Sequence, residues 1–157
     1  GIDSTYKEYI FKFYDLHPSN NDIVFYFNMS IDGGSNYNVT KTTTAFRSYY
    51  AEDGSVNAFE YRTGEDLSQS TSYQNLCSGQ GNGNDESASG YLHLFDPSST
   101  TFVKNFIANF SNYHESNIIQ NYYVAGYANT TSAVNAVQFK FASGNVDAGT
   151  IKMYGVS

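Results

Sequence analysis

Between residues 23 and 31 the chain sets Ile23, Phe25, Phe27, Met29 and Ile31 at every second position, with Val24, Tyr26, Asn28 and Ser30 between them. A helix would spread that apolar set around its circumference, whereas an extended strand gathers it on one face. The same two-residue period recurs along the chain. Tyr9, Phe11 and Phe13 alternate with Glu8, Lys12 and Tyr14 in a strand spanning 5–14. Further strands are expected at 40–51, 56–62, 90–96, 101–110, 117–127, 135–142 and Thr150 to Tyr154. Turn chemistry separates them: His17 to Asn21, Asp32-Gly33-Gly34-Ser35-Asn36, Glu52-Asp53-Gly54-Ser55 and the Gly-rich stretch 144–149. Residues 64–76 read as one helical turn or a long loop, and the low-complexity run 78–89 as an exposed connection. The sum is an all-β fold, an antiparallel β-sandwich of jelly-roll type with about eight or nine strands. Residues 1–157 form a single domain without internal repeats.

Composition supports a packed core. The chain carries 15 Tyr and 12 Phe but no Trp, and only 15% of its residues are charged. Disordered chains show the opposite balance. A net charge of −7, with eight Lys and Arg scattered singly, argues against nucleic acid and anionic lipid as partners. No apolar run approaches the roughly 18 residues of a membrane-spanning helix, so membrane insertion is not expected. Cys77 is the sole cysteine; an intrachain disulfide is impossible, and the side chain is expected to be a small, half-buried apolar group.

Residues that carry chemistry are sparse. His17, His93 and His114 lie far apart without metal-ligand spacing, and no nucleophile elbow, P-loop or dinucleotide fingerprint is present. Glu52-Asp53, Glu65-Asp66 and Asp85-Glu86 are adjacent pairs whose members point to opposite faces of an extended chain, so no pair makes a glycosidase site alone. Asp32, Asn36 and Asn38, or Asn82, Asn84, Asp85 and Glu86, offer oxygen ligands of the kind calcium takes, in loops that also read as ordinary turns. Asn28, Asn38, Asn109 and Asn129 head glycosylation triplets, which a chain this rich in Asn, Ser and Thr produces by chance. No enzyme activity, metal or cofactor is expected. Tyrosine is the most suggestive feature. Tyr49-Tyr50 and Tyr122-Tyr123 are adjacent pairs, so one ring of each faces outward if the segments are strands. With Tyr37 in the Asp32–Asn38 loop, these five are the candidate contacts with a ligand or partner, as a sugar platform or an oligomer interface.

Both ends of the chain carry a resemblance. Ile2-Asp3-Ser4-Thr5-Tyr6-Lys7-Glu8-Tyr9 is similar to the opening of sandwich domains in virion proteins of tailed phages. The run from Ser143 to Gly155 resembles the C-terminal signature of that group. Residues 32–38, Gly90 to Ser99, Ala125-Gly126-Tyr127 and Asn135 to Lys140 resemble relatives from marine phages, cyanophages among them. The resemblance implies a jelly-roll-like domain on the virion surface, assembled in the bacterial cytoplasm and placed as the C-terminal or ordered part of a longer chain. It also implies a non-enzymatic tail-fibre-like adhesin or capsid decoration domain serving assembly or host attachment. Expected partners are other virion proteins, a host-surface glycan, and further copies of the chain, with a trimer favoured. The alternative is a free carbohydrate-binding module of a secreted microbial protein.

Overall fold

The computed structural model describes residues 1–157 and is all β, with ten antiparallel strands and no helix. In chain order these are β1 (Glu8–Pro18), β2 (Ile23–Ser30), β3 (Lys41–Ala51), β4 (Asn57–Tyr61) and β5 (Gln74–Gln80). The second half supplies β6 (Ala88–Phe95), β7 (Lys104–His114), β8 (Ile118–Ala128), β9 (Ala136–Phe141) and β10 (Val146–Val156). Seven strands form one layer in the order β10-β1-β6-β7-β8-β3-β4. The other three form a smaller layer, β5-β2-β9, which joins the first through the single bridge Gln80↔His114. The first strand pairs with the last, the second with the ninth and the third with the eighth. This nested pairing brings the two halves of the chain together strand by strand.

Directly opposed residues share a face, so the register sorts every side chain to one side or the other. The rows Phe11–Leu92–Ala108–Val124–Ala45 and Tyr9–Leu94–Phe106–Gly126–Thr43 face inward. Against them the small sheet sets Phe25, Phe27, Phe139 and Phe141. Phe139 lies 5.2 Å from Phe11 and 4.8 Å from Phe13 between ring centroids; Phe25 lies 5.7 Å from Phe13, and Phe27 5.3 Å from Phe106. Each fully buried phenylalanine of this set contributes about 1.5–3 kcal/mol. Gly90 makes the packing possible, because a Cβ there would stand 2.3 Å from the Asn109 carbonyl oxygen and 2.8 Å from the Phe110 ring.

Several boundaries differ from the sequence reading. The tenth strand is β5, which falls on residues read as loop: Gln, Asn, Ser and Gly hide a segment whose Leu76 and Cys77 are fully buried. Cys77 is therefore a core residue and not a half-buried one. β1 continues through Pro18, where the proline nitrogen costs nothing because the β6 ladder has already stopped at Leu16. The Gly-rich stretch 144–149 is mostly strand, since β10 starts at Val146. Gly149, at φ +112°, sits across a bulge from Asp15, at φ +50°, with Cβ space only 2.7 Å from the Asp15 carbonyl. β2 ends at Ser30, and Ile31 turns out to be exposed.

One side of the sandwich is open. β10 is an edge strand exposed along all eleven residues, and β9 is the edge of the small sheet. Between them runs an apolar groove of about 340 Å³ lined by Ile2, Phe11, Val137, Phe139, Ile151 and Met153.

Candidate functional site

The alternation that builds the core also decides what each tyrosine can reach. Phe46 opposes Tyr123, so even-numbered β3 residues lie outward with Tyr123, whereas Arg47 opposes Tyr122 on the inner face. Tyr122 is fully buried; its hydroxyl hydrogen-bonds Ser78 Oγ and accepts from Arg47 at 3.2 Å. A core ring cannot reach a ligand, so Tyr122 is not a surface contact. Tyr49 is half-buried beneath the Arg47 guanidinium, 4.9 Å from its ring centroid. Tyr50 and Tyr123 face outward, at 53% and 43% exposure. The two do not meet: Tyr50 shares its row with Ile119 and Tyr113, four residues along β3 from Phe46. Tyr37 is half-buried over the Gly33-Gly34 turn, with its carbonyl accepting from Asn28 Nδ2 at 2.6 Å.

Around Tyr123 the outer face carries aromatic groups that the adjacent-pair argument passed over. The row Tyr61–Phe46–Tyr123–Asn109–Tyr91 crosses five strands. Phe46 stacks on Tyr123 at 5.0 Å with ring planes 13° apart, and Phe59 leans on Phe46 at 5.3 Å. Tyr91 is braced edge-on by His93, at 5.1 Å and 77°, and His93 Nδ1 is hydrogen-bonded to Glu8. Phe59 and Tyr61 are 72% and 52% exposed. Between the Tyr123 and Tyr91 rings lies a trough of about 320 Å³, bounded also by Phe46, Ile107, Asn109 and Ala125. A neighbouring depression of about 400 Å³ shares Ile107 and Ala125 and continues to Thr42, Asn105 and Tyr127. The signal that could have found this surface was present: Tyr91, Ile107 and Tyr123 occupy alternate positions opposite to Leu92, Ala108 and Tyr122. Choosing it required knowing which strands are neighbours.

The inner face at the β3–β4 end holds the ionic groups. Glu60 Oε1 accepts from Arg47 Nε at 2.7 Å and from Arg62 Nη1 at 2.8 Å, and Arg62 Nη2 reaches Glu65 at 2.5 Å. Burial pushes the Glu60 carboxyl up, but the two arginines outweigh it and hold the group below its ordinary value. Hydrogen bonding to Glu65 raises Arg62. Glu65 and its sequence neighbour Asp66 are separated in function, since Asp66 accepts from the Tyr61 hydroxyl at 2.6 Å. Glu52 accepts from Tyr113 at 2.8 Å, which raises that phenol to about 12, while Asp53 caps the Ser55 amide at 2.9 Å. Glu86 accepts from the Gly83 amide, and its carbonyl oxygen lies 2.8 Å from His17 Nδ1.

The Asp32 loop spends its oxygens internally. Asp32 accepts from Ser30 Oγ at 2.7 Å, the Asn36 amide at 2.9 Å and Asn36 Nδ2 at 2.7 Å, and these donors hold its carboxyl down at about 2. No three His, Cys, Asp or Glu side chains converge in a way that could hold a metal ion. Burial, with Glu65 nearby, pushes the Cys77 thiol up to about 12. Asn28, one of the four glycosylation triplets, is fully buried and holds Lys41 Nζ at 2.6 Å, so a glycan cannot be attached there in the folded chain.

The fold and this surface define an antiparallel β-sandwich with one aromatic, solvent-facing sheet. Compared with protein-family models, with curated proteins and with solved structures, the chain matches none.

Proposed function

We propose that the chain is a non-enzymatic surface domain of a tailed-phage virion that attaches the particle to its host through the outer face of the large sheet. The observation that carries the reading is the exposed row Tyr61–Phe46–Tyr123–Asn109–Tyr91 with its trough. Aromatic rings left in water on a rigid sheet cost solvation unless something covers them, and such patches mark binding surfaces. The ionic groups support binding over catalysis: both carboxylates of the inner cluster are engaged by arginine, Glu60 by Arg47 and Arg62 and Glu65 by Arg62, so the cluster is tied up in ion pairs. The sequence resemblance to phage virion domains supplies the setting. A core stable without disulfides suits a protein assembled in bacterial cytoplasm.

Assembly into the virion calls on a second surface. The open edge of β10 and the groove beneath it are the surfaces for association with other virion proteins or further copies of the chain, with a trimer as the favoured state. In a closed trimer each copy presents β10 to a different edge of the next. The same outer trough would serve a free carbohydrate-binding module of a secreted microbial protein. Antibody raised to the purified chain separates the two. Label on tail or fibre tips of intact particles supports adhesion, and label over the head supports a decoration role. Bare particles overturn the virion reading.

A further inference from the structure

We infer that the trough between Tyr91 and Tyr123 is a binding site for a neutral pyranose ring within a glycan chain. The walls come first. Tyr123 on β8 and Tyr91 on β6 stand in one row with β7 between them, so their backbones are two strand spacings, about 9.6 Å, apart. That gap admits one puckered saturated ring between the two aromatic side chains, in van der Waals contact at about 3.5–4.0 Å. Phe46 behind Tyr123 and His93 beside Tyr91 hold the two rings in place, so little ordering remains to be done on binding.

The floor is polar in one particular way. Asn109 Nδ2 donates to Asn121 Oδ1 at 2.7 Å and to the Tyr122 carbonyl at 2.9 Å. This arrangement leaves Asn109 Oδ1, on the trough lining, as an acceptor without a partner in the protein, while Asn121 lies outside the lining, two residues along β8 from Tyr123. An acceptor between two aromatic side chains suits a sugar hydroxyl that donates to Oδ1 while its ring stacks.

Charge narrows the class. The trough is lined by Phe46, Tyr91, Ile107, Asn109, Tyr123 and Ala125, together with Ala108 and Val124, none of them ionised. Lys12, next to Tyr91 in the row, sits over the Tyr154 ring at 5.7 Å. A net charge of −7 repels acidic polysaccharides at a distance. The ligand is thus a neutral hexose chain rather than a uronate or sialylated one. The adjoining depression at Thr42, Asn105 and Tyr127 receives the next sugar along the strand direction. This inference deepens the attachment reading by naming the ligand, yet it is tested on purified chain and stands or falls apart from where the protein sits on a particle.

Isothermal titration with neutral tetrasaccharides of glucose, mannose, galactose and N-acetylglucosamine, alongside oligogalacturonate, is the test. At least one neutral chain should bind, and Tyr91→Ala or Tyr123→Ala should weaken it by about tenfold or more. Ala125→Leu, which fills the trough without removing a ring, should do the same. Phe102→Ala, an exposed ring in a loop away from the trough, should leave affinity unchanged. Circular dichroism and melting confirm that each variant is folded. Failure of every neutral chain to bind the folded protein, preference for the acidic chain, or full affinity in Tyr123→Ala would each overturn the assignment. So would a face-to-face dimer that Tyr123→Ala dissociates.

Discussion

Lys41 is a fully buried cation with no anionic partner: its amine donates to Asn28 Oδ1 at 2.6 Å and to the Val39 carbonyl at 2.8 Å. Lys104, across Ala128 in the same row, is held likewise by the Phe102 and Thr130 carbonyls at 2.8 and 3.0 Å. Both lysines thus fasten loops to one end of the sandwich. Burial pushes the Lys41 amine down to about 8 from an ordinary 10.5. Between those values the unfolded chain still carries a proton that the folded chain has released, so this group makes stability rise with pH across that window. Cys77 opposes it above 9.0, where the unfolded thiol ionises and the folded one does not. The comparison with Lys41→Met isolates the lysine: urea melts from pH 8 to 9 should show the wild type gaining stability relative to the variant. Parallel curves would mean the amine is not desolvated. Gly90 yields a second prediction. Gly90→Ala forces a methyl into the Asn109 carbonyl and the Phe110 ring, and should cost about 1–3 kcal/mol in the same melts, with the strand content unchanged by circular dichroism.

At the level of the strand, β5 is the most informative element. It joins the two layers through Gln80↔His114 and buries Leu76 and Cys77, yet it reads as loop. The native thiol should resist a bulky disulfide reagent and react only as fast as the chain unfolds, whereas rapid labelling of folded protein would place β5 nearer the surface. Strands with clear alternation were legible because one face of each meets the core: β2, with Phe25, Phe27 and Met29 inward, is the clearest. β5 was illegible because its buried residues do not alternate: Leu76 and Cys77 are adjacent and both buried, and the polar Gln74 and Gln80 are buried with them. No two-residue contrast survives such a setting. The start of β10 was lost for the opposite reason. Its eleven residues are all exposed, and Gly149 marks a bulge inside the strand where the sequence suggests a turn. The trough was half legible: Tyr123 stood out through its adjacent pair, but Tyr91 and Asn109 join it only through the order β6-β7-β8. That order is a property of the sheet and cannot be read from any one segment.

For the molecule as a whole, the unequal layers matter most. The small sheet stops at β9, one strand short of covering β10, and leaves Ile151 and Met153 at 41% and 47% exposure on a face that is core elsewhere. Long apolar edges of this kind recruit other strands. Sedimentation should show self-association of the purified chain that Met153→Lys weakens, since a charge on that face is costly to cover; a strict monomer at high concentration would remove the edge as an assembly surface. The aromatic trough faces away from this groove, on the opposite side of the large sheet, so covering one surface leaves the other open. A different consequence follows from the pairing of the first strand with the last. Glu8 lies directly opposite Val156, so β1 begins where β10 ends, at the same end of one antiparallel ladder. Tension applied through those two residues would load the rungs between β1 and β10 one after another, as a zip opens, and would not share the load among them. A tether that holds the body by one end alone, with the pull arriving through the outer face, bypasses that weak line altogether.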